Sequence, residues 1–310
     1  MSTSKSQTPL VAPALRSLTR SKPALAFSAL IAASATLGAC STSLPSSVGH
    51  APVLSVAAGT FPIAQAVGLI GGAKVKVINV VPAGDDPLTY KLTSSRRATL
   101  RDASLLVSPG EGLVPAASSV AGGSSQSSLL VAPALGSSDP YFWLDPTLMN
   151  ESVSLIAKAM EKADPAAAPL FVQNAISLSA EVSSLDGDFA RTLSACPGKV
   201  LVSADDAFSS MAAQYGFVAK AAGPDPNRPQ IDALVRAVRE SNPGAVVTEP
   251  WVSNAGARAV ATVAHVTLHS IDTLVGPPPG GWPKGATYFA LMEQDLGTLS
   301  SALGCNNSEQ

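Results

Sequence analysis

From residue 53 onward, short apolar β-type runs alternate with helical ones, and this rhythm confines the chain to an α/β architecture built on mainly parallel sheets. Val53 to Ala57 is strand-like, and Phe61 to Leu69 reads as a helix closed by Gly71-Gly72. Lys74 to Val80 alternates at period two, the mark of a strand. Thr93 or Ser94 caps a helix through Ala103, and Ser104 to Val107 is the next strand. The Gly/Ser-rich stretch from Ser118 to Ser128 reads as a loose loop before a short strand at Leu129 to Val131. The second half repeats the alternation: strand Lys199 to Ser203, helix Ala207 to Tyr215 ended by Gly216, strand Phe217 to Ala221, helix Gln230 to Glu240 and strand Ala245 to Thr248. Asn254 then caps a helix to Ala264, Val266 to Ile271 is the last strand, and a closing helix runs from Ala286 to Leu303 with Gly304 at its C-cap.

Between the halves lie two helices, Thr147 to Lys162 and one opened by Pro165 that runs to about Leu193. Phe171, Leu178, Val182, Leu185, Phe189 and Leu193 recur at spacings that place them on one face. At 1.5 Å per residue the second helix is roughly 40 Å long, the height of two lobes. The expected fold is therefore two Rossmann-like lobes, each a mainly parallel sheet flanked by helices, joined by one long spine helix. The expected boundaries are 53–146 for the first lobe, 147–195 for the linking helices and 196–310 for the second lobe. A spine of this kind resists wide hinge opening.

The start of the chain reads as an export signal. Arg16, Arg20 and Lys22 precede an uncharged apolar run from Pro23 to Leu37, too short for a transmembrane span of roughly 20 apolar residues. Leu37-Gly38-Ala39-Cys40 resembles the lipobox of bacterial lipoproteins. Residues 1–39 are thus expected to be a removed signal, Cys40 to be acylated at the outer face of the cell membrane, and residues 40–52 to form a Ser-rich tether. About 260 residues remain, which suits two lobes of ordinary size. With 14% charged residues and a net charge of −2, no basic footprint points to nucleic acid. Outside the reducing cytoplasm Cys196 and Cys305 are expected to pair; two free buried thiols are the rival reading.

Four segments carry more specific information: Val81-Pro82-Ala83-Gly84-Asp85-Asp86-Pro87-Leu88-Thr89-Tyr90, Asp139-Pro140-Tyr141-Phe142-Trp143-Leu144-Asp145-Pro146, Ser203-Ala204-Asp205-Asp206-Ala207-Phe208 with Tyr215-Gly216 after it, and Glu249-Pro250 followed by Asp272. In order, over residues 53 to 305, they resemble the metal-binding receptors of bacterial ABC importers, the zinc and manganese solute-binding lipoproteins. The resemblance implies capture of a divalent metal in the cleft between the lobes and delivery to an ABC permease and its ATPase, by a monomer held to the membrane through its lipid anchor. In that family three histidines and a carboxylate bind the ion. Here the histidine positions carry Leu88, Tyr141 and Asp205, and Asp272 stands at the carboxylate position.

Zinc favours imidazole or thiolate, whereas Asp205, Asp272 and Glu249, with Tyr141 beside them, offer oxygen only, which suits manganese or magnesium better. Leu88 is a lost ligand position. The Gly/Ser stretch, where zinc-scavenging members often carry a His-rich loop, has no histidine. His265 and His269 stand four apart, but on a strand that spacing separates them by about 13 Å, so each reads as locally satisfied. His50, in the tether, carries no signal. Asp145 ahead of Pro146 reads as a helix cap, Asp206 as the cap of the following helix, and Trp143 as packing between lobes. Trp251 and Trp282, with the Pro277-Pro278-Pro279-Gly280-Gly281 loop, read either as the cleft mouth or as ordinary packing. No nucleophile elbow, zincin helix or phosphate loop points to an enzyme. The alternative function is a derived member of the same fold that has lost transition-metal binding and serves another solute or acts as an accessory or adhesive surface lipoprotein.

Overall fold

The structure is a computed structural model that describes residues 53–120, 126–241 and 244–305. The expected signal, Cys40, the tether and His50 lie outside the described residues, as does part of the Gly/Ser stretch. The first lobe runs β1 (Leu54–Ala58), α1 (Phe61–Gly71), β2 (Val75–Asn79), α2 (Ser94–Arg101), β3 (Leu105–Ser108), the single turn α3 (Pro115–Ser118), β4 (Ser127–Leu130) and the single turn α4 (Val131–Ala134). Its strands are all parallel in the order β2-β1-β3-β4. Val56 sits between Val77 and Leu105, in the middle of the sheet.

Two helices follow, α5 (Pro146–Ala163) and α6 (Ala168–Leu193). Asp145 caps α5 by accepting the Thr147 N–H at 2.8 Å, with Pro146 at the first helical position where its missing N–H costs nothing. The second lobe runs β5 (Val200–Ser203), α7 (Ser209–Tyr215), β6 (Val218–Ala221), α8 (Arg228–Ser241), β7 (Ala245–Thr248), α9 (Ala255–Ala264), β8 (Leu268–Ser270) and α10 (Tyr288–Leu303). Its sheet is again parallel, in the order β6-β5-β7-β8. The fold is two doubly wound α/β lobes with the spine helix α6 between them. α6 buries Phe171, Leu178, Val182, Leu185, Phe189 and Leu193 along one stripe, and packs against α5, α1, α10 and α7.

One hydrophobic core runs from β1 and β3 through Phe142, Trp143 and Leu144 at the lobe junction to β7 and α10; a smaller one fills the space between the second sheet and α8 and α9. Cys196 and Cys305 form a disulfide, with Cα atoms 4.9 Å apart, which ties the end of α10 to the start of the second lobe. Among the described residues no helix is long and apolar enough to cross a membrane.

Several local expectations differ from what the chain adopts. β4 starts at Ser127, inside the stretch read as a loop, because pairing with β3 supplies the backbone partners that its own sequence does not advertise. Val131 opens the turn α4 instead of ending the strand. β8 is limited to Leu268–Ser270, and His265 is no strand residue: it closes α9 in the left-handed conformation, at φ 58°. Asp206 does not cap α7 with its side chain; α7 begins only at Ser209, after a turn in which Asp205 accepts the Ala207 N–H at 3.0 Å.

Candidate functional site

In a sheet of order 2-1-3-4 the crossovers leave toward opposite faces on either side of the first strand. The carboxyl ends of the two central strands therefore open a crevice, the usual place for a ligand. In the first lobe the residues at that position are Thr60 and Ser108, whose hydroxyls are buried without a hydrogen-bond partner. In the second lobe the residues just past β5 and β7 are Asp205 and Glu249. The first lobe offers hydroxyls and the second lobe acids.

Glu249 is only 3% exposed. Its Oε1 accepts the Ala204 N–H at 2.6 Å, and its Oε2 is buried with no partner. Asn254 grips its backbone, accepting the Glu249 N–H at 2.9 Å and donating to the Glu249 carbonyl at 2.7 Å. Burial, and then the negative charge of Asp205, push the Glu249 carboxyl up to about 9, so it is protonated at neutral pH. Asp205 is half-buried; its Oδ2 accepts the Tyr141 hydroxyl at 2.9 Å. Tyr141 arrives from the segment before α5, where Asp139 accepts its backbone N–H at 2.8 Å. Burial and then the Asp205 charge raise the Tyr141 phenol, which stays neutral and acts as a donor. The structure thus brings Tyr141, Asp205 and Glu249 together.

Asp272 follows β8 and is bonded differently. Its Oδ1 accepts the Leu274 N–H at 2.8 Å, its Oδ2 accepts the Trp282 indole N–H at 2.5 Å, and its own N–H donates to Asp295 Oδ1 at 3.1 Å. Burial raises the Asp272 carboxyl. Asp295, on α10, is pushed well up by its own burial, and its Oδ2 has no partner. Leu88 lies in the loop after β2, its N–H held by Asp86 at 2.8 Å and its side chain packed on the core. Among the described residues no three His, Cys, Asp or Glu side chains stand together as a group able to hold a metal. His265 is exposed at the end of α9, and His269 pairs with Val247 in the sheet.

The loop after Asp272 spans the lobe junction as a strap. Phe61, at the start of α1, donates its N–H to the Val275 carbonyl at 3.2 Å, and Trp143 donates its indole N–H to the Thr273 carbonyl at 2.9 Å. Gly276 lies against Pro87 so closely that an added Cβ would stand 2.8 Å from its ring, so glycine is required there. Beneath the strap is a pocket of about 60 Å³ bordered by Thr60, Asn79 and Asp85. Asn254 and Asp295 were not legible as site residues: the first reads as a helix cap, the second as one acid within a helix. For Asp295 the sequence carries no signal; for Asn254 the only hint is its place five residues after Glu249.

Manganese-binding lipoprotein MntA of Bacillus subtilis (strain 168) is 28% identical over 274 residues, covering 81% of this chain and 90% of that protein. High-affinity zinc uptake system protein ZnuA of Paracoccus denitrificans (strain Pd 1222) is 25% identical over 296 residues, covering 79% of this chain and 89% of that protein. Among solved structures, the laminin binding protein (Lmb) of Streptococcus agalactiae, a bifunctional protein with adhesin and metal transporting activity, shares the fold with a TM-score of 0.70 at 20% identity, over 81% of this chain and 99% of that one. The profile of the periplasmic zinc-uptake complex component A (ZnuA) matches residues 56–302, and the chain belongs to that family.

Proposed function

We propose that this chain is the extracytoplasmic solute-binding subunit of a metal-ion ABC importer, capturing a divalent cation between its lobes and handing it to a permease driven by an ATPase. The observation that carries this reading is the pair Asp205 and Glu249 at the carboxyl ends of β5 and β7, with Glu249 Oε2 buried and unpartnered. Two such acids repel unless a proton or a cation sits between them. Burial and the Asp205 charge favour a proton on Glu249, and a divalent cation answers the same need with a stronger charge. Asp205 and Glu249 are the principal donors, and Asp272 adds a third carboxylate when its own hydrogen bonds yield. Tyr141, a neutral donor to Asp205, orients that carboxylate, and Leu88 contributes no lone pair. Oxygen donors alone favour a hard ion such as manganese over zinc. The protein works as a monomer anchored through Cys40 at the outer face of the membrane, and it catalyses nothing.

The test is thermal unfolding of the chelator-stripped full chain with zinc, manganese, iron(II) or magnesium. A cation at 100 times its dissociation constant stabilises by about 2.7 kcal/mol, which raises the midpoint by roughly 5–10 °C in a chain of this size. Asp205→Ala or Glu249→Ala is expected to abolish the shift. Unshifted curves with every metal would sink the proposal.

A further inference from the structure

The strap from Asp272 to Trp282 is held by three tryptophans, and one of them does something the other two do not. Trp143 and Trp251 donate their indole N–H groups to backbone carbonyls of the strap, at Thr273 (2.9 Å) and Gly276 (3.2 Å). Trp282 donates instead to a side-chain carboxylate, Asp272 Oδ2, at 2.5 Å. Its ring rests on Phe61 of the first lobe, with centroids 4.4 Å apart. The other Asp272 oxygen is engaged by Leu274, whose backbone is held in the left-handed region at φ 56° although the side chain is fully buried. That backbone is fixed also by Asp295 on the Asp272 N–H and by Phe61 on the Val275 carbonyl, so the carboxylate is held at Oδ1 by the strap's own backbone and at Oδ2 by the Trp282 side chain.

We propose that Trp282 is an affinity-setting residue of the site: its indole N–H holds the Asp272 carboxylate that an arriving cation takes over. This rests on the receptor reading above. A hydrogen bond to a charged acceptor is among the stronger kind, and the cation competes with it for the same oxygen. With Asp272 occupied by the strap, Asp205 and Glu249 form the first contact, and a cation that binds them weakly is not rewarded with the third carboxylate. Capture transfers Asp272 Oδ2 from the indole to the ion and frees the Trp282 N–H beside Phe61.

The indole N–H resonances of the ¹⁵N-labelled, chelator-stripped full chain read this bond directly. Comparison with Trp282→Phe, which keeps a ring on Phe61 but lacks the N–H, identifies the Trp282 signal. Zinc and magnesium, both diamagnetic, are titrated, while calorimetry with these two and with manganese follows binding to the wild type, Trp282→Phe and Asp272→Asn. The Trp282 signal is expected far downfield in the stripped protein and to move upfield at saturation. Trp282→Phe is expected to bind the ion roughly tenfold tighter, and Asp272→Asn more weakly. A Trp282 signal that stays put while the ion binds, a Trp282→Phe affinity equal to or below wild type, or an unaffected Asp272→Asn overturns the proposal and leaves the receptor reading standing. Absence of any binding by the wild type overturns both.

Discussion

Glu249 keeps its proton for two reasons that add: water is excluded from its carboxyl, and the Asp205 charge stands beside it. The sign of the consequence is fixed by linkage. Between its ordinary value of 4.5 and about 9, the unfolded chain has released this proton and the folded chain has not. Stability of the metal-free protein should therefore fall as pH rises through that window, being fullest, as far as this group is concerned, below it. Urea unfolding in chelator between about pH 5 and pH 9 should show the slope, and Glu249→Gln should flatten it. A cation binds the ionised form, so metal affinity should rise with pH over the same range, measurable by competition with a chelator. The resemblance alone named Asp205 and Glu249 as ligands, though their positions just past two strands could be read from the apolar pattern. What each oxygen bonds to could not. The Trp282–Asp272 contact spans ten residues of Pro/Gly loop and has no period, and the double grip of Asn254 on Glu249 mimics an ordinary helix cap.

At the scale of elements, the helices were more legible than the strands. α6 announces itself because a stripe at period 3.6 has one physical reading, burial of one face, and all six apolar positions expected on that face are buried. Phe189 is fully buried on that stripe, and Phe189→Ala should cost about 3–5 kcal/mol in urea unfolding. Ile176, on the same helix but 66% exposed, should tolerate alanine within about 0.5 kcal/mol. The short strands at the sheet edges were hardest to delimit. Ser127 and Ser128 have no strand propensity worth the name, and they are extended because β3 offers them hydrogen bonds. β8 is cut to three residues by the left-handed turn at His265 and by the start of the strap at Asp272, neither of which leaves a mark in the apolar pattern.

Across the whole molecule, the core that passes without interruption from the first sheet to the second makes separation of the lobes expensive, since it would expose Phe142, Trp143 and Leu144 together. Adjustments on ligand capture are therefore expected in the strap rather than in the angle between lobes. The disulfide adds to this rigidity. Closing a span of 109 residues nominally stabilises by about 4–5 kcal/mol, and Cys196→Ser with Cys305→Ser should lower the urea midpoint accordingly. The same bridge also makes the second lobe a covalent ring. Lys284 lies exposed in the connector ahead of α10. Trypsin nicking there would leave α10, and with it Asp295 beneath Asp272, tethered through Cys305. A once-cut molecule would run as an intact chain until reductant released the C-terminal fragment, so this surface can suffer proteolytic damage in an oxidising compartment without shedding a piece of its site.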